Sequence, residues 1–309
     1  MPNNTPRISI VVLNWNRAKD TLECMASLEK LDKRNYKLSV NLVDNGSTAN
    51  SVEIFKRYKT HNFKIQLIIN KENLGYAAGN NIGMRKAIND GSDFVMVLNN
   101  DTFVHPQLIS GLLKTFNEYP NAGVVSPKIY FAKGFEFHKD RYSKNELGKV
   151  IWFAGGDIDW NNVYGTNHGV DEIDHGQFDK IREVDFVTGA CLMARSKTLE
   201  EVGMFDERYF SYFEDTDLSQ RMKNRGLKVL YSPYGVIWHK VAQTSKIGGE
   251  LNDYFLTRNR ILFGMRYAPL RSKIALIRES LRLMTAGRKW QKAGVRDFYL
   301  GRFGKGSWE

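Results

Sequence analysis

Between residues 7 and 126, five short apolar runs alternate with longer amphipathic stretches, and this alternation admits few architectures. The runs are 8–13, 38–43, 65–69, 94–98 and 123–125. Helical patterns lie near 18–31, 50–59, 75–89 and 106–119, the last with Pro106 at a helix-start position. Such β-α alternation predicts an α/β fold with a mostly parallel, doubly wound sheet. No GxxxxGK followed by Ser or Thr comes after any run, and no GxGxxG follows the first, which disfavours a P-loop enzyme and a dinucleotide dehydrogenase.

The fourth run is the most telling. Phe94-Val95-Met96-Val97-Leu98 leads directly into Asn99-Asn100-Asp101, the pattern of a parallel strand whose carboxyl end opens on a ligand crevice. An Asp at a strand tip either caps the next helix or brings charge to a ligand such as a metal, and this segment alone does not separate the two.

Past Pro127 the alternation breaks. Residues 128–182 are rich in aromatic, Gly, Asp and Asn residues, as in Trp152-Phe153-Ala154-Gly155-Gly156-Asp157, and predict hairpins and loops over a site. A strand is expected over 184–187, helices near 196–202 and 215–225, short strands at 228–231 and 235–238, and two helices near 250–267 and 270–286.

Composition narrows the class. Hydrophobic residues make up 42% and charged residues 26% of the 309, which excludes wholesale disorder. The two cysteines, Cys24 and Cys191, form no CxxC pair, so structural zinc and a disulfide framework are not expected. The polar start, Met1 to Pro6, and the absence of any run near 18 apolar residues predict a cytoplasmic protein. From Arg258 onward 13 Lys and Arg face 3 Asp and Glu, so nearly all of the net +11 lies in the tail. Such a tail suits a polyanion.

Polar residues cluster at the strand tips: Asn14 and Asn16 after the first, Asp44-Asn45-Gly46-Ser47 after the second, Asn73-Leu74-Gly75-Tyr76 after the third. Asp44 could accept a hydrogen bond from the imide N–H of uracil or thymine, with the Asn side chains on its carbonyls or the ribose. Each is also a common turn former. Further on, Tyr209-Phe210-Ser211-Tyr212-Phe213 runs into Glu214-Asp215-Thr216-Asp217. Carboxylates at a helix start are favoured by the helix dipole, yet an apolar wall beside them also raises proton affinity and suits a general base. His239 ends a strand, as a core residue or as a ligand.

Taken together, Ile10 to Asn16, Val43 to Ser47, Asn73 to Asn81, Leu98 to Thr102, Thr188 to Cys191, Glu214 to Leu218 and Trp238-His239 closely resemble family 2 glycosyltransferases of the GT-A fold, in particular the rhamnosyltransferase-like branch. The resemblance runs over about residues 7–265 in the family's order. It implies that Asn99-Asn100-Asp101 is the metal-binding DxD motif with its first Asp replaced by Asn, leaving Asp101 as the acidic ligand of Mg2+ or Mn2+, completed by His239. It implies that Asp215 is the catalytic base with Glu214 as an orienting neighbour, while Asp217 caps the helix. Donor-binding positions implied are Asn14, Asn16, Asp44, Asn73, Gly75, Asn80, Asn100 and Gly189, with Arg258 or Arg260 reaching the diphosphate. The organisation implied is a catalytic domain over 1–250, divided into a nucleotide-binding half (1–126) and an acceptor half (127–250), with a basic helical extension over 251–309.

The activity so implied is inverting transfer of a sugar, rhamnose by resemblance, from a dTDP- or UDP-sugar to a hydroxyl of a glycan or lipid-linked acceptor. A nucleotidyltransferase is the alternative enzyme, but Asn14-Trp15-Asn16-Arg17 does not supply its Gly-rich basic loop. A non-enzymatic polyanion-binding protein leaves the acidic motifs without a role, and the tail lacks aromatics for base stacking, so nucleic acid is not the expected partner. In the tail, Leu270, Ile274, Ile277, Leu281 and Met284 share one helical face beside Arg271, Arg278 and Arg282. This fits either an interfacial helix on an anionic membrane surface, placing the enzyme peripherally at the inner leaflet, or a helix packed on the catalytic domain or in a homodimer interface.

Overall fold

Apolar residues alternate in and out along the first strands, and each face needs helices to cover it. The computed structural model describes residues 5–32, 35–48, 50–241 and 249–308. Its first half is β1 (Arg7–Asn14), α1 (Ala18–Leu28), β2 (Lys37–Asn45), α2 (Ser51–Arg57), β3 (Lys64–Asn70), α3 (Gly75–Asn89), β4 (Phe94–Asn99), β5 (Thr102–Val104), α4 (Leu108–Glu118) and β6 (Ala122–Phe131). Met1–Asn4, at the start of the polar amino-terminal segment, lie outside the described residues.

The second half holds β7 (Ile151–Phe153), β8 (Gly156–Asp159), β9 (Tyr164–Asn167), β10 (Arg182–Glu183), β11 (Cys191–Arg195), α5 (Ser196–Val202), α6 (Glu214–Lys223), β12 (Lys228–His239), α7 (Glu250–Tyr267), α8 (Leu270–Ala286) and α9 (Lys289–Tyr299). The main sheet runs β10-β12-β6-β11-β4-β1-β2-β3, with β5 on β12 and β7 on β6. Strands β3, β2, β1 and β4 are mutually parallel, β6 is parallel to β12, and β11 lies antiparallel between β4 and β6. This is the mostly parallel α/β sheet that the alternation predicts.

Val12, Met96 and Leu98 point to one face, against Met25 and Leu28 of α1 and Leu112 and Phe116 of α4. Val11, Val95 and Val97 point to the other, against Ala77 and Met84 of α3 and Leu218 and Met222 of α6. Helices α7 and α9 lock together where Gly294 leaves room for the Tyr254 carbonyl and Asp297 accepts from the Tyr254 hydroxyl at 2.6 Å.

Four local expectations are corrected. Residues 184–187 form no strand beyond an isolated bridge at Phe186, and the strands flank them as β10 and β11. The two short strands at 228–238 are one, because a register shift between Ser232 and Val236 absorbs Pro233 and Gly235 without ending it. The fourth helix starts at Leu108 rather than Pro106, and α9 follows the two C-terminal helices foreseen.

Candidate active site

Strand register gathers the polar tips at one edge of the sheet. Leu13 lies opposite Asn99, and Asn14 opposite Asp44. Because β11 runs the other way, from Cys191 opposite Leu98, it brings Thr188, Gly189 and Ala190 to the same edge. There β12 ends, with His239 opposite Thr102. A cavity of about 540 Å3 opens over this edge, with Asn73, Gly75, Asn100, Asp101, Gly189, Glu214, Asp215 and His239 all in its wall.

One wall is built on Asp101. The chain passes from it directly into strand β5, so there is no adjoining helix for it to cap. Its Oδ1 sits 3.1 Å from His239 Nε2, and its carbonyl accepts from the Lys240 N–H at 2.9 Å. Trp152 meets the imidazole edge-on, with ring centroids 4.7 Å apart. Asn100 Nδ2 ties the tip to α1 through Thr21 Oγ1 at 2.9 Å. Both Asp101 and His239 are buried, yet among the described residues neither Asp101 Oδ1 nor His239 Nδ1 has a hydrogen-bond partner. A buried carboxylate oxygen left without a donor beside an imidazole nitrogen fits a divalent cation. Among the described residues no group of three or more His, Cys, Asp or Glu is placed to hold a metal ion, so a cation here would take its remaining ligands from water or a bound substrate.

The other wall hangs on a strained turn. Phe210, Tyr212 and Phe213 have φ of 63°, 69° and 73°, a region that costs a non-glycine residue about 1–3 kcal/mol. Helix α7 holds the turn from behind. Asn259 Nδ2 donates to the carbonyls of Tyr209, Ser211 and Tyr212 at 2.8, 2.7 and 2.9 Å. Arg258 donates to the carbonyls of Arg208 and Tyr209 at 3.1 and 3.0 Å. On the near side Gly75, at φ +83°, admits the Phe210 ring where a Cβ would lie 2.4 Å from it.

The turn delivers Glu214 and Asp215 to the first turn of α6. Asp215 Oδ2 accepts from the Gly189 N–H at 2.7 Å and Oδ1 from the Thr216 N–H at 2.6 Å. Tyr76 holds the same glycine from its other side by donating to the Gly189 carbonyl at 2.6 Å. Burial pushes the Asp215 carboxyl up, and these N–H bonds restrain the rise. Burial and then the neighbouring Asp215 charge push Glu214 well above the carboxylate range, and its Oε2 has no partner among the described residues. Two adjacent carboxyls thus separate into a held acid and a more readily ionised base.

Five residues expected to bind the donor do not line this cavity and have protein partners in this structure. Asn14 and Asp44 are neighbours in the sheet and satisfy each other: Asn14 Nδ2 donates to Asp44 Oδ2 at 2.8 Å, and Ser47 donates to both Asp44 oxygens. Asp44 is buried. Asn16 is exposed at φ 56° and accepts from the Thr48 N–H at 2.9 Å. Asn80 is buried and donates back to the Tyr76 carbonyl. Arg258 has no donor left for a diphosphate, since Asn259 Oδ1, the Tyr254 hydroxyl and the carbonyls of Gly304, Arg208 and Tyr209 take all five N–H groups. Arg260 pairs with Glu279 and the Asn162 carbonyl instead. Asp217 is no helix cap: Arg221, Arg266 and Tyr267 donate to it, tying α6 to α7.

Wall residues missed from the sequence include Trp15, Trp152 and Asn252. The first two stand among polar or glycine-rich motifs, where an aromatic was a usable signal. Asn252, which accepts from the Tyr212 hydroxyl at 2.7 Å, carried none.

The family model described as Glycosyl transferase family 2 matches residues 9–202. The chain belongs to glycosyl transferase family 2. This glycosyltransferase is 27% identical over 250 residues, 78% of either chain, to N-acetylglucosaminyl-diphospho-decaprenol L-rhamnosyltransferase of Mycobacterium tuberculosis, and is rhamnosyltransferase-like in sequence. Its fold resembles that of GalNAc-T7 solved with UDP, GalNAc and Mn2+ (TM-score 0.60, 16% identity), covering 76% of this chain but only 44% of that one. It also resembles the mannosyltransferase PcManGT of Pyrobaculum calidifontis solved with GDP-Man and Mn2+ (TM-score 0.58, 17% identity), covering 97% of this chain and 76% of that one. These likenesses identify the fold as GT-A.

The glycosyltransferase's turn and acid pair each have a measurable consequence. Asn259→Leu keeps the branched shape and strands the Ser211 and Tyr212 carbonyls, while the Tyr209 carbonyl keeps Arg258, so melting should show a loss of about 2–4 kcal/mol, and transfer should slow. A variant with wild-type stability and rate would mean the turn holds itself. For Glu214 the folded pKa is raised, so its stabilising contribution is present below the unfolded value, about 4.3, and is lost as pH rises toward the folded value. Glu214→Gln should therefore melt higher than wild type at about pH 8, with the gain shrinking toward about pH 4. A gain that is flat across pH would contradict the raised value.

Proposed function

We propose that this glycosyltransferase moves a sugar from a dTDP- or UDP-sugar to a hydroxyl of a glycan or lipid-linked acceptor in one displacement, with Asp215 as general base. The observation that carries the reading is the pairing of two unlike walls across one cavity. Asp101 and His239 offer a buried carboxylate and a neighbouring imidazole, 3.1 Å apart, to a diphosphate and its cation. Glu214 and Asp215 offer a proton acceptor raised by burial.

The nucleoside would lie over Leu13, Trp15, Asn45 and Asn73, whose side chains line that part of the wall. Asn73 and Asn45 are fixed by a 2.9 Å hydrogen bond, so that surface is preorganised. Asp101 and His239 would hold Mg2+ or Mn2+, which when bound would supply charge neutralisation for the leaving diphosphate. As the acceptor oxygen bonds to the anomeric carbon, the bond from that carbon to the diphosphate oxygen breaks and its electron pair leaves with the diphosphate. Asp215 takes the hydroxyl proton, a contribution of about 10²–10⁴-fold. Glu214, kept neutral, hydrogen-bonds the sugar or acceptor without repelling the diphosphate. The mycobacterial relative's named acceptor is lipid-linked and its named sugar is L-rhamnose, which supports rhamnose and a lipid-linked acceptor here.

A thermal-shift screen of nucleotide sugars with Mg2+ or Mn2+ tests the donor side, and two variants separate the walls. Asp215→Asn should keep the donor-induced shift and lose transfer by about 10²-fold or more. Asp101→Ala should lose the cation-dependent part of the shift. Wild-type turnover in Asp215→Asn, or a donor shift indifferent to chelator, would refute the corresponding assignment.

A further inference from the structure

Helix α8 buries Ser272, Leu276 and Ser280 against the body, and its most apolar face points away from it. Leu270, Ile274, Ile277, Leu281 and Met284 form one stripe at helical spacing and are 74%, 43%, 38%, 59% and 42% exposed. Of the two arrangements expected from the sequence, packing of this face on the catalytic domain is therefore ruled out. Beside the stripe stand Arg271, Arg278 and Arg282, also exposed and with no salt bridge among the described residues. The helix's lone acid, Glu279, is taken by Arg260 at 2.9 Å. The exposed Tyr299 joins this surface, its hydroxyl 2.7 Å from Ser280 Oγ.

We propose that this face of α8 lies on an anionic lipid bilayer. The charge pattern chooses the occupant. A second copy docked through the same patch would bring two rows of arginine together with no acid to answer them. Nucleic acid would match the arginines and leave five large apolar side chains without a role. A bilayer surface satisfies both: the stripe enters the headgroup boundary while the arginines meet lipid phosphates. Among the described residues no helix is long and apolar enough to cross a membrane, so the helix lies in the surface plane. Membrane contact through α8 does not depend on the catalytic reading.

Co-sedimentation of the full chain with vesicles tests it, using phosphatidylcholine alone and phosphatidylcholine mixed with one third phosphatidylglycerol. Binding is expected to the mixed vesicles, falling with salt. Each arginine changed in Arg278→Ser and Arg282→Ser should weaken it about fivefold. Ile277→Glu with Leu281→Glu should weaken it about tenfold or more. These side chains are exposed, so an unchanged melting temperature checks that the variants fold. No binding to the mixed vesicles, or binding that the substitutions leave unaltered, would overturn the proposal. So would a dimer in light scattering that the double Glu variant splits, which would assign the face to a second copy.

Discussion

Three backbone carbonyls converge on the amide nitrogen of Asn259, and the wall that carries Glu214 and Asp215 is suspended from that point. A chain with positive φ at Phe210, Tyr212 and Phe213 stores strain of a few kcal/mol, a sizeable share of the 5–15 kcal/mol that typically separates folded from unfolded. It persists because α7 satisfies its carbonyls and Gly75 makes room for Phe210. The result is a sharp entry into α6 that turns Glu214 and Asp215 into the cavity rather than along the surface. The basic C-terminal helices are thus structural partners of the acid pair.

Electrostatic division of labour follows from the same geometry. Gly189, itself held by Tyr76, lends an N–H to Asp215 and none to Glu214. One carboxyl stays within reach of ionisation, while the other is driven toward the neutral form. At the facing wall, pairing of β5 with β12 joins Asp101 to His239. Two protein groups cannot complete a cation's shell, so water or the bound donor would supply the remaining ligands.

Much of this was legible in the chain. Apolar runs of five or six residues ending in polar ones located the sheet edge, and the family resemblance put Asp101, His239, Glu214 and Asp215 together where the cavity now gathers them. What stayed hidden depended on register and on distant carbonyls. Asn14 and Asp44 read as two separate ligands, whereas the β1–β2 pairing sets them side by side and a hydrogen bond joins them. Arg258 read as a phosphate ligand because no local pattern shows that five acceptors from elsewhere surround it. Helix α9 escaped because its buried positions are Gly294, Val295 and Asp297, too little apolar surface to make a periodic signal.

The central claim, one base acting in a single displacement, is tested most directly by the stereochemistry of the product. Proton NMR of the anomeric signal during the first turnovers, with a donor of defined configuration, reads it without any substitution in the protein. The account predicts the opposite anomer from that of the donor. Retention of configuration would contradict it, because a lone base acting on the acceptor hydroxyl in one in-line step can only invert.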